Sequence, residues 1–347
     1  IFLGGSDWTT VSGNKISKFA EKFSIPVVTS FRRQDVIDNS LKIFAGSLGT
    51  SVSPRLEKSI KEADLIFVLG ARLGEMTTSG YSVINPEVFK HKIVHVHLDP
   101  SELGSVYPTK LGIVSSMANM CDALSNIEIE KKAGWTAWSN ELNRAYKSDV
   151  EPPKYAGMLD LGKIFKELDK ELPKGTIITL DAGNHTGWPQ RFLKYSFNRR
   201  QIGSTCGSMG YAIPAAVAAS VMYPEKFVLG LVGDGGFMMT GMELMTAVQY
   251  KLSPMFIVFN NSSYGTIRMH QERDHPGRVI ATDLVNPSFT ELCKAMGIYS
   301  EVIRKTEDFL PAFSRCRRRT DITLLELITD KEQLSSRQSI SDFIEKT

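Results

Sequence analysis

Hydrophobic residues along this chain gather into short unbroken runs, separated by longer stretches in which they recur every three or four positions. The runs are Ile1–Leu3, Pro26–Thr29, Leu65–Leu69 and Ile93–Leu98 in the first half, and Thr176–Leu180, Phe227–Val232, Met255–Phe259 and Ile322–Ile328 in the second. Apolar runs of this length, bounded by glycine and polar residues, predict buried strands. The stretches between them, such as Ile16–Phe23, Leu56–Ala63, or the face made by Leu161, Ile164, Phe165, Leu168 and Leu172, predict amphipathic helices. Trp135, Trp138, Leu142 and Tyr146 share a helical spacing and read as packing at the end of the first half. Strand and helix alternate, which predicts an α/β chain. The polar segment from Asp149 to Lys154, with Pro152 and Pro153, interrupts the alternation. The expectation is two doubly wound parallel-sheet domains, residues 1–150 and 155–347, with a linker over 148–154 and a polar cap from Asp330 onward.

The most informative unit runs from Phe227 to Asn261. Its first run ends in Gly233-Asp234-Gly235-Gly236, which predicts a turn. Met242, Leu244, Met245, Ala247 and Val248 predict a helix that stops before Pro254, and a second apolar run ends in Asn260-Asn261. A strand–helix–strand crossover is right-handed and sets its two strands parallel. Asp234 and Asn261, 27 positions apart, therefore share the sheet edge at which open α/β folds hold ligands. A carboxylate and an amide are hard oxygen ligands suited to Mg2+ or Ca2+, and two side chains leave most of a shell of about six oxygens to water and phosphate. Gly235 and Gly236 let phosphate oxygens approach the backbone where the next helix begins. These residues predict a metal-bridged diphosphate site.

GDG, a spacer and NN, with these flanking strands, resemble the cofactor motif of thiamine-diphosphate-dependent enzymes, and nearly the whole chain resembles their acetolactate synthase-like branch. The resemblance implies thiamine diphosphate with Mg2+, the metal held by Asp234, Asn261 and the backbone carbonyl of Ser263. It implies that Gly183, Asn184 and His185 lie along the diphosphate, with Gly235, Gly236, Tyr264 and Gly265 also at the cofactor. Gly207, Ser208 and Met209 match the segment between the cofactor's two rings. Met209 would wedge the cofactor into a bent shape, and the Gly207 carbonyl would accept from its 4′-amino group. The bend sets the 4′ nitrogen beside the thiazolium C2–H, so that proton removal is intramolecular. Glu243 reads as a structural hydrogen bonder, and His270 and Gln271 as either a substrate border or a polar helix face.

Three glycine-bearing turns mark the first half: Gly4-Gly5-Ser6, Gly46-Ser47-Leu48-Gly49, and Gly70-Ala71-Arg72-Leu73-Gly74. From the residues alone they are either tight connections or phosphate-holding turns with Arg72 as anion partner. The resemblance implies FAD or ADP at Gly4, Gly5, Gly46, Gly49, Gly70 and Arg72 in some family members and an empty pocket in others.

The activity implied is decarboxylation and carboligation of small 2-oxo acids by a transferase or lyase, in a cytoplasmic homodimer or homotetramer. Two alternatives stay open. One is another reaction of the superfamily (2-oxo acid decarboxylase, acyl-CoA lyase or glyoxylate carboligase), and the other is a non-catalytic nucleotide-binding or regulatory subunit. The family's activating glutamate sits on an N-terminal pyrimidine-binding domain that matches nowhere in this sequence, and the chain opens inside a strand without Met. The expectation is the rear portion of a longer protein, with no catalytic glutamate of its own and inactive alone.

Composition narrows the partners. At 347 residues, 42% hydrophobic and 23% charged, the chain can bury two cores. With a net charge of +3 and both signs mixed, its one basic cluster, Arg315 with Arg317, Arg318 and Arg319, lacks interleaved aromatics and reads as a solvated helix end, not a nucleic-acid surface. Cys121, Cys206, Cys293 and Cys316 are too scattered for a zinc site or a disulfide framework. No apolar run approaches the ~20 residues of a membrane span. The longest, Ala212–Met222, contains Pro214 and Ser220 and predicts a packed helix.

Overall fold

A computed structural model describes residues 1–50, 52–87, 92–128, 134–155 and 157–344. The last positions expected in the second domain, 345–347, lie outside the described residues. The chain divides into two compact units, Ile1–Glu151 with Lys194–Phe197, and Pro152–Leu193 with Asn198–Thr347.

The first unit holds β1 (Phe2–Leu3), β2 (Val27–Thr29), β3 (Phe44–Ser47), β4 (Leu65–Leu69), β5 (Lys92–His97) and β6 (Leu111–Val114). All pair in parallel, in the order β3-β2-β1-β4-β5-β6. The second holds β7 (Ile177–Leu180), β8 (Arg200–Gly203), β9 (Val228–Gly233), β10 (Met255–Asn260), β11 (Tyr299–Ile303) and β12 (Thr323–Ile328). Its order is β11-β12-β10-β9-β7-β8, again parallel throughout. Two doubly wound α/β sheets are thus observed. Their strand order reverses at β1/β4 and at β7/β9, the crevices where such sheets accept ligands.

The inner strands owe their place to burial on both faces. In β9 and β10, Val228, Leu229, Leu231, Val232 and Met255 to Phe259 are all buried. Each large apolar side chain so removed from water contributes roughly 1.5–3 kcal/mol. Helices cover both faces and are capped by local chemistry. Thr9 and Ser12 form a reciprocal capping box for Thr10–Lys22, and Asp160 accepts from the Lys163 amide at the start of Leu161–Glu171. Ala212–Met222 is the packed helix its sequence predicts. Of the aromatic stripe, Leu142 is buried, Tyr146 packs edge-on against Phe44, and Trp135 is exposed with its ring N–H donating to the Phe23 carbonyl. The arginine cluster ends the helix Thr306–Arg317, where Arg315, Arg317 and Arg319 pair with Glu301, Glu171 and Asp321.

Two expected turns are not turns. Gly46 and Ser47 belong to β3, where pairing with β2 skips Ala45 and Gly46 takes φ +120°, so the glycine serves a bulge. Gly233-Asp234-Gly235-Gly236 does not reverse the chain either. The helix Asp234–Thr240 begins at the aspartate itself, and Gly235 and Gly236 are its first turn.

Candidate cofactor site

The site grows out of strand register. Gly233 of β9 pairs with Phe259 of β10, so Asp234 leaves the sheet beside Asn260, the last residue of β10, and Asn261 follows it out. Asp234, Asn261 and Ser263 border one open pocket. Gly183, Asn184 and His185, from the loop after β7, border it too, as do Met209, Gly235, Gly236, Tyr264 and Gly265. Gly207 and Ser208 do not line it and are exposed. His270 and Gln271 also lie off the pocket, on the helix Gly265–Asp274, and Glu243 is exposed, accepting from the Thr246 hydroxyl.

The two asparagines divide their work. Asn260 is structural: its amide donates to Glu326 Oε1 at 2.7 Å, and its carbonyl oxygen accepts from the Ser262 amide at 3.1 Å. Asn261 stands at the pocket, where its Oδ1 accepts from the Ser263 N–H at 3.1 Å. Asp234 is 3% exposed, and burial pushes its carboxyl above the usual carboxylate range, against hydrogen bonds from Asn286, Gly235, Ser262 and Ser263. Such a group is poised to be stabilised as a carboxylate by a cation. Among the described residues the lining includes Asp234 and Asp330 but neither lysine nor arginine. Among the described residues no three His, Cys, Asp or Glu side chains cluster to hold a metal by themselves. The donor set therefore suits a hard divalent ion that brings other ligands with it.

The glycines earn their place by crowding. A Cβ on Gly235 would sit 2.6 Å from the Tyr264 ring and 3.3 Å from Met209 Cε, and one on Gly236 would sit 2.0 Å from Asp181 Oδ2. Asp181 is a residue that pattern reading passes over. It is fully buried, and its Oδ1 accepts from the Ala182 and Tyr211 amides at 2.8 and 3.2 Å, joining the loop after β7 to the segment that carries Met209. Thr266, in the first turn of the helix Gly265–Asp274, joins the same loop to the segment after β10, donating from its hydroxyl to Asn184 Oδ1 at 3.0 Å. A second aspartate directly after a strand, in the same place as Asp234, was the signal for Asp181. Thr329, Asp330, Gln333 and Leu334, which form another wall, carried no local signal.

Comparison with known proteins gives two matches along the chain. A model of the thiamine pyrophosphate enzyme C-terminal TPP binding domain fits residues 181–327, and one of the central domain of the same enzymes fits 1–124. The chain belongs to the thiamine pyrophosphate enzymes. Similar relatives include a mitochondrial acetolactate synthase of Schizosaccharomyces pombe, 27% identical over 334 residues that make up 92% of this chain and 50% of that protein. A probable acetolactate synthase large subunit of Methanocaldococcus jannaschii is 26% identical over 95% of this chain and 57% of its own length. A sulfoacetaldehyde acetyltransferase of Alcaligenes xylosoxydans xylosoxydans is 26% identical over 91% and 57%. The chain spans about half the length of these curated relatives. Asp234, Asn261, Ser263 and the pocket's glycines fall within the matched TPP binding domain, while Tyr155, Leu159 and Leu161 before it and Thr329, Asp330, Gln333 and Leu334 after it complete the lining.

In the first unit, Gly4, Gly5 and Gly70 meet one another at the β1/β4 crevice. A Cβ on Gly5, which has φ +76°, would fall 2.0 Å from the Gly70 carbonyl oxygen. A Cβ on Gly49 would meet the Phe31 ring. Arg72 is 74% exposed and pairs with Glu102 at 2.9 Å. Among the described residues no helix is long and apolar enough to cross a membrane.

Proposed function

We propose that this chain supplies the diphosphate- and Mg2+-binding half of an acetolactate synthase-like site, which decarboxylates and joins small 2-oxo acids. The observation that supports it best is the buried Asp234 beside Asn261 and Ser263 in a pocket lined, among the described residues, by no lysine or arginine. A diphosphate entering that pocket would meet a carboxylate and, among the described residues, no lysine or arginine, so a divalent ion would be needed to offset the like charges. Asp234, Asn261 and the Ser263 carbonyl would hold the ion, while Gly183, Asn184, His185, Gly235, Gly236 and Gly265 border the phosphates. Met209 and Tyr264, crowded together over Gly235, would set the cofactor's shape. When bound, the cofactor supplies the electron sink for loss of CO2. This chain's part is to place it, exclude water with Trp188, Phe259 and Leu334, and keep Asp234 aimed at the metal.

No glutamate lines the pocket among the described residues, so the activating acid is assigned to a further domain or a partner subunit, in a cytoplasmic homodimer or homotetramer. The chain alone then turns over negligibly. The acetyltransferase at 26% identity, level with the synthases, supports a second reading in which the site runs another reaction of the superfamily. Calorimetric titration of the full-length protein with thiamine diphosphate, with and without Mg2+, tests the site. Binding that depends on Mg2+ is expected, and no binding refutes it. A panel of 2-oxo acids, assayed with and without CoA, separates the two reactions.

A further inference from the structure

Asn286 lies between the helices Gly265–Asp274 and Phe289–Ala295, far in sequence from the GDG and NN motifs. Its amide nitrogen donates to Asp234 Oδ2 at 2.8 Å and to Asn260 Oδ1 at 2.9 Å. Both amide hydrogens are therefore used, one on the residue that follows β9 and one on the last residue of β10. Asn260 is gripped from the other side by Glu326, which is 4% exposed on the neighbouring strand β12. A continuous polar chain, Glu326–Asn260–Asn286–Asp234, thus runs behind the pocket, and Asn286 does not line it.

We infer that Asn286 is a positioning residue for the cation site, acting through Asp234 and never touching what is bound. This rests on the reading of the pocket given above. The Gly235 amide already holds Asp234 Oδ1 at 2.9 Å, and Asn286 is the side chain that holds Oδ2, so together they fix the plane of the carboxylate. The chemistry of the donor fits the task. A lysine or arginine there would also orient the carboxylate, but would repel a divalent ion and compete for Asp234. A neutral amide fixes direction without adding charge. The bond to Asn260 adds a second effect, since it ties the Asp234 corner to the strand end from which Asn261 projects and so sets their spacing. Hydrogen-bond partners of metal-holding carboxylates commonly account for 10–100-fold in metal affinity.

The test compares full-length wild type, Asp234→Ala, Asn286→Ala and Asn286→Leu, with Asn286→Leu keeping the side-chain volume should the alanine variant fold poorly. Thiamine diphosphate binding is measured by calorimetry across a Mg2+ series, alongside thermal melts of the free proteins. Wild type should bind and Asp234→Ala should not. The Asn286 variants should need about ten to a hundred times more Mg2+ for half-maximal binding, yet recover wild-type cofactor affinity at saturating Mg2+, with melting temperatures near wild type. Recovery by excess ion is what a merely structural role would not give. Asn286 variants that match wild type at every Mg2+ concentration overturn the inference and leave the site reading intact. So do variants whose weakened binding ignores Mg2+ and follows a lowered melting temperature. A wild type that does not bind the cofactor overturns both.

Discussion

The two sheets share a plan and differ at the edge where function would sit. Each has six parallel strands and one crevice where the order reverses, β1/β4 in the first and β7/β9 in the second. In the first, glycine makes room for the protein's own backbone, with Gly5 pressed on the Gly70 carbonyl and Arg72 turned to Glu102. In the second, the residues that crowd Gly235 are the side chains of Tyr264 and Met209, and both border an open pocket that also contains Asp234. Glycine at a strand end therefore reports close approach, and does not say what approaches. The polar residue beside it makes the distinction. Asp234 is a buried carboxyl with no lysine or arginine in its pocket among the described residues, whereas Arg72 at the first edge is already paired and largely in water.

The largest effect expected from this contrast is at Gly5. Alanine there would take a left-handed φ of +76° and place its Cβ 2.0 Å from a backbone oxygen that cannot swing aside. The left-handed conformation costs about 1–2 kcal/mol and overpacking about 1–3, so Gly5→Ala should destabilise the first unit by about 3 kcal/mol in urea unfolding. Thiamine diphosphate affinity should not change. Equal loss of stability and of affinity would mean that the first edge takes part in the second unit's site.

At Gly235 the balance should reverse. The new methyl would meet a tyrosine ring and a methionine tip, groups that can rotate into the pocket. Gly235→Ala is expected to change stability by less than about 1 kcal/mol and to weaken the diphosphate about tenfold, a difference of about 1.4 kcal/mol. Calorimetry and melting curves on one sample decide it, and unchanged affinity would remove Gly235 from the site. Arg72→Ala should do less. An exposed pair of this kind contributes about 0.2–1 kcal/mol, and neither ADP nor FAD should raise the melting temperature of wild type or variant. A nucleotide-induced shift in wild type, lost in the variant, would make the first edge a binding site.

What the sequence made legible follows the same physics. The eight apolar runs coincide, to within a residue or two at each end, with β1, β2, β4, β5, β7, β9, β10 and β12. The four strands it did not announce, β3, β6, β8 and β11, are the four sheet edges. An inner parallel strand is buried on both faces and must read as continuous hydrophobicity, while an edge strand such as Leu111–Val114 or Arg200–Gly203 is free to carry exposed or polar residues. The site divides likewise. Asp234 and Asn261 are legible because one βαβ unit fixes both. Asn286, 52 positions beyond Asp234, is not, since its hydrogen bond depends on how a later loop returns to the sheet. Nor was the reason for the GDG glycines, which answer to Tyr264 and Asp181 and not to a turn.

The smallest effect concerns the cysteines and reads out which edge is open. Cys121 in the first unit and Cys293 and Cys316 in the second are buried, and burial pushes each thiol up to about 12. Cys206 is exposed on the loop after β8, three residues before Met209, and hydrogen bonds with the Ser204 and Ser208 hydroxyls bring its thiol down from 9.0 to about 7. The thiolate is the nucleophile, so a lowered thiol pKa means that reactivity appears as pH rises through about 7, well before an ordinary cysteine responds. Iodoacetamide should modify Cys206 alone in the native protein, at a rate that climbs across that range, and reach the other three only after denaturation. Ser208→Ala should move the midpoint upward. Thiamine diphosphate with Mg2+ should slow the reaction only modestly, because Met209 borders the pocket while Gly207 and Ser208 stand outside it. Complete protection by the cofactor would instead bring the whole Cys206–Met209 segment into the site, and a rate indifferent to it would confine the contact to Met209.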